Sequence, residues 1–247
     1  MDEKRFEEAK NKIVGEKRIR QGIGTMREKT VHAVLKNYYA PDQDMHEIPI
    51  DQYVADIYTG SSIIEIQTAQ FNRLREKLAC FLPQYPVMVV YPIAYRRTLV
   101  WVDEATGECI PAKRASRKGS VYDAFSELYK IKSYLKNENL TLCFPMLELE
   151  EYKLLNGWGK EKKNHASKYD RIPIAICNEI RFERSEDYLQ LIPYDMPEPF
   201  SVQDFGKAVK IPRSQAAIVL NILFYLEQLD RVGKQGNAYL YQVCENR

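Results

Sequence analysis

The sequence predicts an α/β (α+β) chain: a mixed sheet flanked by helices, followed by a smaller C-terminal unit of helix, turn, helix and hairpin. Three observations carry this reading. Short runs of β-branched and aromatic residues are interleaved with apolar stripes at helical spacing. The turn signals Thr59-Gly60-Ser61-Ser62 and Ala105-Thr106-Gly107 each stand between two such runs. Pro193, Pro197 and Pro199 resist both helix and central strand, and they set off the last unit from everything before it.

Taken in order, Ile23, Met26, Thr30, Val31, Val34, Leu35 and Tyr38 recur at helical spacing and predict a helix from Ile23 to Tyr39, which carries Glu28 and, one turn later, His32. A strand around Tyr53-Val-Ala-Asp56-Ile-Tyr58 and another over Ile63-Ile-Glu65-Ile-Gln67 form a hairpin about the Thr59–Ser62 turn. Alternation along the second strand sends Glu65 and Gln67 to one face and Ile64 and Ile66 to the other. An amphipathic helix over Phe71–Leu78 and a buried strand over Val87–Val90 follow. Leu99–Val102 and Glu108–Ile110 read as a second hairpin. Ser120, with Asp123 three residues on, opens a helix whose Val121, Phe125, Leu128 and Leu135 share a face. Leu140–Leu149 and Ile172–Phe182 read as further strands. Residues 1–192 thus form one α/β domain, 193–198 a linker and 199–247 a second domain. In the latter, Ser201 and Asp204 box the start of a helix from Val202 to Val209. Lys210-Ile211-Pro212 turns the chain, a helix runs from Arg213 to Leu229, and Arg231–Lys234 pairs with Ala238–Val243.

Asp56 and Glu65 are the informative pair. Both sit on apolar strands, where a charge is costly unless something binds it, and eight residues separate them, so a short hairpin sets them opposite each other. Paired with Lys or Arg, they would be ordinary surface carboxylates. With Gln67 converging on the same spot, they offer hard oxygen ligands and room for water, a set that suits Mg²⁺ or Mn²⁺. Such an ion generates hydroxide and offsets charge on a phosphoryl group.

Strand with Asp56, turn, strand with Glu65-Ile-Gln67, amphipathic helix and apolar strand resembles the core of the PD-(D/E)xK, or restriction-endonuclease-like, nuclease superfamily over about residues 20 to 95. The resemblance implies that Asp56 and Glu65 bind the metal, that Glu28 is the acid of the preceding helix with His32 beside it, and that Gln67 stands where the motif usually has Lys. An amide dipole there replaces a full positive charge, which puts the rate and organisation of catalysis in question.

Residues 199–243 resemble a winged helix-turn-helix domain, without a readable first helix immediately upstream. The resemblance implies that Arg213, Ser214 and Gln215 face the major groove, with Lys207, Lys210, Arg231 and Lys234 against phosphates. Winged helices also serve as docking or dimer modules. A second basic segment, Lys160, Lys162, Lys163, His165, Lys168 and Arg171 around Trp158 and Tyr169, suits phosphate contact and stacking, or a solvated loop. Lys113-Arg114 and Arg117-Lys118 form another small patch.

Composition limits the function little. Net charge is +2, so DNA contact rests on local patches. Five dispersed cysteines show no zinc spacing and read as reduced thiols. No apolar run is long enough to cross a bilayer and Met1-Asp-Glu-Lys-Arg is no signal peptide, so a cytoplasmic location and no membrane partner are expected. Two classes of function remain. One is a metal-dependent endodeoxyribonuclease of the restriction or repair kind. The other is a non-catalytic DNA-binding or regulatory protein on the same scaffold, with a pure protein-interaction module behind them. A homodimer would suit double-strand cleavage, because one metal site cuts one strand.

Overall fold

In the computed structural model, residues 2–20, 30–103, 106–114, 117–155 and 166–244 are described. Helix α1 (Glu3–Arg20) lays Phe6 and Ala9 against Val31, Val34 and Tyr38 of α2 (Thr30–Tyr39). A three-strand antiparallel meander follows: β1 (His46–Ile50), β2 (Tyr53–Tyr58) and β3 (Ile63–Ile66). Helix α3 (Leu74–Phe81) then returns the chain so that β4 (Val87–Val90) lies parallel to β3. All four residues of β3 are buried. Ile63 packs with Leu74, Leu78 and Phe81 of α3, whereas Ile64 and Ile66 pack with α1 and α2, so this strand is covered on both faces.

Strand β5 (Ile93–Asp103) follows β4 with two residues between them and pairs antiparallel with β6 (Cys109–Arg114). After α4 (Phe125–Leu128), β7 (Leu140–Leu155) and β8 (Ala166–Phe182) form a long antiparallel ribbon. β8 occupies one edge of β7, so β4 and β5 follow one another along the other, against Leu140–Cys143 and Met146–Leu155. On its far side the β4–β5 ribbon is paired by β3 at 87–90 and by β6 at 98–102. Residues 91–97 therefore lie in a fork of the sheet, and the Gly119 N–H closes part of it by donating to the Tyr95 carbonyl (3.1 Å).

The C-terminal segment holds β9 (Phe200–Ser201), α5 (Val202–Ala208), α6 (Arg213–Tyr225), β10 (Leu229–Gln235) and β11 (Ala238–Val243), with strand order β10-β11-β9. Ser201 and Asp204 form the expected capping box. Ala216, Val219, Leu220 and Leu223 of α6 join the same apolar cluster as Phe125 and Leu128 of α4 and Phe71 and Leu78 beside the meander.

Several elements differ from the sequence reading. The segment after Ser120 is α4 between 3-10 turns, because Ile131 leaves helical geometry (φ −112°), although Val121, Phe125, Leu128 and Leu135 are all buried as expected. α6 stops at Tyr225 rather than Leu229, since Glu227 adopts a left-handed conformation (φ 60°) and Leu229 opens β10. α1 and β1 were not anticipated. Among the described residues no helix is long and apolar enough to cross a membrane.

Candidate active site

The β2–β3 register pairs Ile57 with Ile64 and Tyr58 with Ile63, and one step further sets Asp56 across from Glu65. The Asp56 N–H donates to Glu65 Oε1 (3.2 Å), and the Ile66 N–H donates to Asp56 Oδ2 (2.8 Å), so each carboxylate is fixed by the other's strand. From α2, His32 Nε2 meets Asp56 Oδ2 at 3.2 Å. From α3, Lys77 Nζ donates to Glu65 Oε2 (2.8 Å) and to the Val54 carbonyl (2.7 Å). Asp56, Glu65, His32 and Lys77 thus converge from four elements.

Glu65 is 4% exposed, and burial is the main reason its carboxyl is pushed up to about 7. The Asp56 charge adds to that rise, against the pull of Lys77 and the Asp56 N–H. Asp56 goes the other way. Burial pushes it up, but the His32 contact, the Ile66 N–H and the Lys77 charge outweigh burial and hold it below the usual carboxylate range. Adjacent acids with opposed shifts are a common mark of functional sites.

Lys77 is the residue the sequence reading missed. It lies three residues after Leu74 and four before Phe81, both buried, so a lysine stands on the apolar stripe of α3. That position was the available signal. Gln67, by contrast, is half-buried, its backbone N–H donates to the Val90 carbonyl (2.8 Å), and its side-chain amide has no hydrogen bond among the described residues. Glu28 lies outside the described residues, as do Lys160, Lys162, Lys163, His165 and Trp158.

As metal ligands, Asp56 and Glu65 form a two-carboxylate set, and among the described residues no group of three or more His, Cys, Asp or Glu is placed to hold an ion. A two-carboxylate set fits Mg²⁺, which keeps several waters and takes the remaining ligands from substrate phosphate. Asp56 Oδ1 has no hydrogen-bond partner among the described residues, whereas Lys77 sits on Glu65 Oε2 and competes there for a cation.

Beyond Gln67 the chain enters a cleft of about 500 Å³ in the fork of the sheet, lined by Thr68, Ala69, Tyr91, Arg97, Tyr169 and Arg171 among others. Asp56 and Glu65 do not line it.

In the C-terminal unit, Lys207, Lys210, Arg213 and Ser214 are exposed. Gln215 instead points at the body of the protein, donating to Asp123 Oδ1 (3.3 Å). The Arg231 guanidinium stacks over Phe224 and Tyr239, 4.2 Å from each ring centre, and Lys234 lies 4.8 Å from the Tyr239 ring.

The profile of the family described as Domain of unknown function (DUF8091) matches residues 29–183, which include α2, the meander, the site and the long ribbon. An uncharacterized protein of Treponema pallidum (strain Nichols) is 26% identical over 186 residues, 75% of this chain and 74% of that protein. No solved structure matches the chain.

Proposed function

We propose that this chain, which belongs to the DUF8091 family, is a metal-dependent endodeoxyribonuclease with Asp56, Glu65 and Lys77 at its centre. The observation that carries this reading is the Lys77 contact. Gln67 left the site without the cation that a cleaving centre of this kind uses, and an ammonium from α3 stands 2.8 Å from Glu65. The order helix, antiparallel meander, helix, parallel strand, with the two acids on the meander, also supports the resemblance to the PD-(D/E)xK superfamily.

In this reading Asp56 and Glu65 would hold Mg²⁺ or Mn²⁺, which when bound supplies hydroxide near neutral pH and offsets charge on the phosphoryl group. His32 and the Ile66 N–H orient Asp56 so that Oδ1 stays available. Lys77 brings a positive charge to the side of Glu65, where a positioned donor stabilises charge that develops in the transition state. Gln67 orients water or phosphate as a neutral donor. DNA is the proposed partner, held in part by Arg213, Lys207, Lys210 and the Arg231–Lys234 wing, while Gln215 is engaged elsewhere.

A second reading rests on the same contacts. Both oxygens of Glu65 are occupied, by the Asp56 N–H and by Lys77, as in a buried ion pair that only supports a scaffold. The protein would then be a non-catalytic DNA-binding or regulatory protein. Incubation of plasmid, single-stranded and branched DNA with Mg²⁺ or Mn²⁺ separates the two. Cleavage by the wild type that Glu65→Ala abolishes supports the nuclease; intact DNA binding with no cleavage on any substrate supports the scaffold.

A further inference from the structure

The cleft in the fork of the sheet holds two guanidinium groups that make no hydrogen bond among the described residues. Arg97 Nη1 and Arg171 Nε approach the same carboxylate, Glu151 Oε2, at 3.7 and 3.6 Å, outside hydrogen-bonding distance. Glu151 is 7% exposed, while both arginine side chains are more than 40% exposed. One buried carboxylate therefore faces two arginines at ion-pair distance without a hydrogen bond to either. Their N–H forks have no hydrogen bond among the described residues and match an oxyanion such as phosphate. Asp170, also on the wall, accepts from the Thr30 N–H and hydroxyl at the start of α2, and its charge with that of Glu151 offsets the two arginines, so an anion is held here by the guanidinium N–H groups rather than by net charge. Arg117 is paired with Asp123 at 2.5 Å. Tyr91 and Tyr169 also line the cleft.

We propose that this cleft takes one phosphate-bearing nucleotide of single-stranded DNA, its phosphate on Arg97 and Arg171 and its base against Tyr91 and Tyr169. This inference deepens the nuclease reading by naming its substrate as a strand that is single or splayed near the cut. Size argues for it: about 500 Å³ lies in the range of small-ligand sites, the scale of one nucleotide. Position argues for it too, since Thr68 and Ala69 on the wall lie three and four residues past Glu65. Aromatic faces with cations beside them are the usual means of holding unpaired bases without reading sequence.

The test uses the full chain in EDTA, so that binding is read without cleavage. Anisotropy of a short labelled single-stranded oligonucleotide and of a blunt duplex is measured for the wild type, Arg97→Ala, Arg171→Ala and the double variant Arg97→Ala/Glu151→Gln, which leaves no buried charge unpaired. Single-strand affinity should fall at least tenfold in each variant, its salt slope should drop by about one, and duplex affinity should hold. Unchanged single-strand affinity in folded variants overturns the proposal. So does an equal loss for duplex, which would make the arginines a general backbone contact. A deoxynucleoside monophosphate that binds as tightly as the strand overturns the strand assignment in favour of a free nucleotide. The two readings fail separately. Absence of cleavage leaves these affinities standing, and a cleaving protein whose single-strand affinity ignores Arg97 and Arg171 sinks the cleft alone.

Discussion

Lys77 donates at once to Glu65 and to the Val54 carbonyl, so a single side chain ties α3 to both strands that carry the acids. The protonation of Glu65 then becomes a measurable property of the fold. Its carboxyl is raised from 4.5 to about 7, so the folded state binds the proton more tightly than the unfolded one. Stability from this group is complete below the unfolded value and is lost as pH rises from 4.5 through about 7. Without metal, the wild-type melting temperature should therefore fall relative to that of Glu65→Gln across this window. Parallel curves for the two proteins contradict the assignment. Mg²⁺ must also displace that proton, so its affinity should weaken roughly tenfold per unit as pH drops below about 7. Titration calorimetry in two buffers of different ionisation heat reads the released proton directly. Asp56, already held low by His32 and Ile66, contributes none of it.

At the scale of elements, α3 places the cation and the hairpin places the acids. Leu78, fully buried beside Lys77, anchors α3 to Ile63 on the sheet. Leu78→Ala should cost about 2–5 kcal/mol and should lower cleavage more than DNA binding, because it loosens the support of Lys77 without touching the exposed basic residues. Urea unfolding paired with a binding titration checks this. These elements were also the legible part of the chain. The Asp56–Glu65 hairpin could be read because β-branched runs, a Gly turn and residue alternation all pointed to the same register. Lys77 was not singled out, since a lysine in a helix is ordinarily solvated and only the packing of Leu74, Leu78 and Phe81 turns it inward. The fork of the sheet could not be read at all. It depends on β4 and β5 sharing one edge of β7, and pairing between strands more than forty residues apart leaves no local pattern.

At the scale of the molecule, α6 buries Val219, Leu220 and Leu223 in the cluster that also holds Phe125, Leu128 and Leu78. The prolines at 193–199 set off the C-terminal unit along the chain, and a shared apolar cluster predicts that what lies on either side unfolds together. Scanning calorimetry should give a single transition, with calorimetric and van't Hoff enthalpies equal. Two resolved transitions would mean that the C-terminal unit melts alone.

The central claim is that Lys77 supplies the positive charge that Gln67 cannot, and single-turnover cleavage of single-stranded and branched DNA by wild type, Lys77→Ala and Lys77→Arg tests it most directly, with metal affinity measured on the same samples. The account predicts metal-dependent cleavage by the wild type, a rate about 10²–10³ lower in Lys77→Ala, partial recovery in Lys77→Arg, and metal binding in Lys77→Ala at least as tight as in the wild type, because the competitor for Glu65 is gone. Wild-type rates in a folded Lys77→Ala, or no cleavage by the wild type on any substrate, would contradict it.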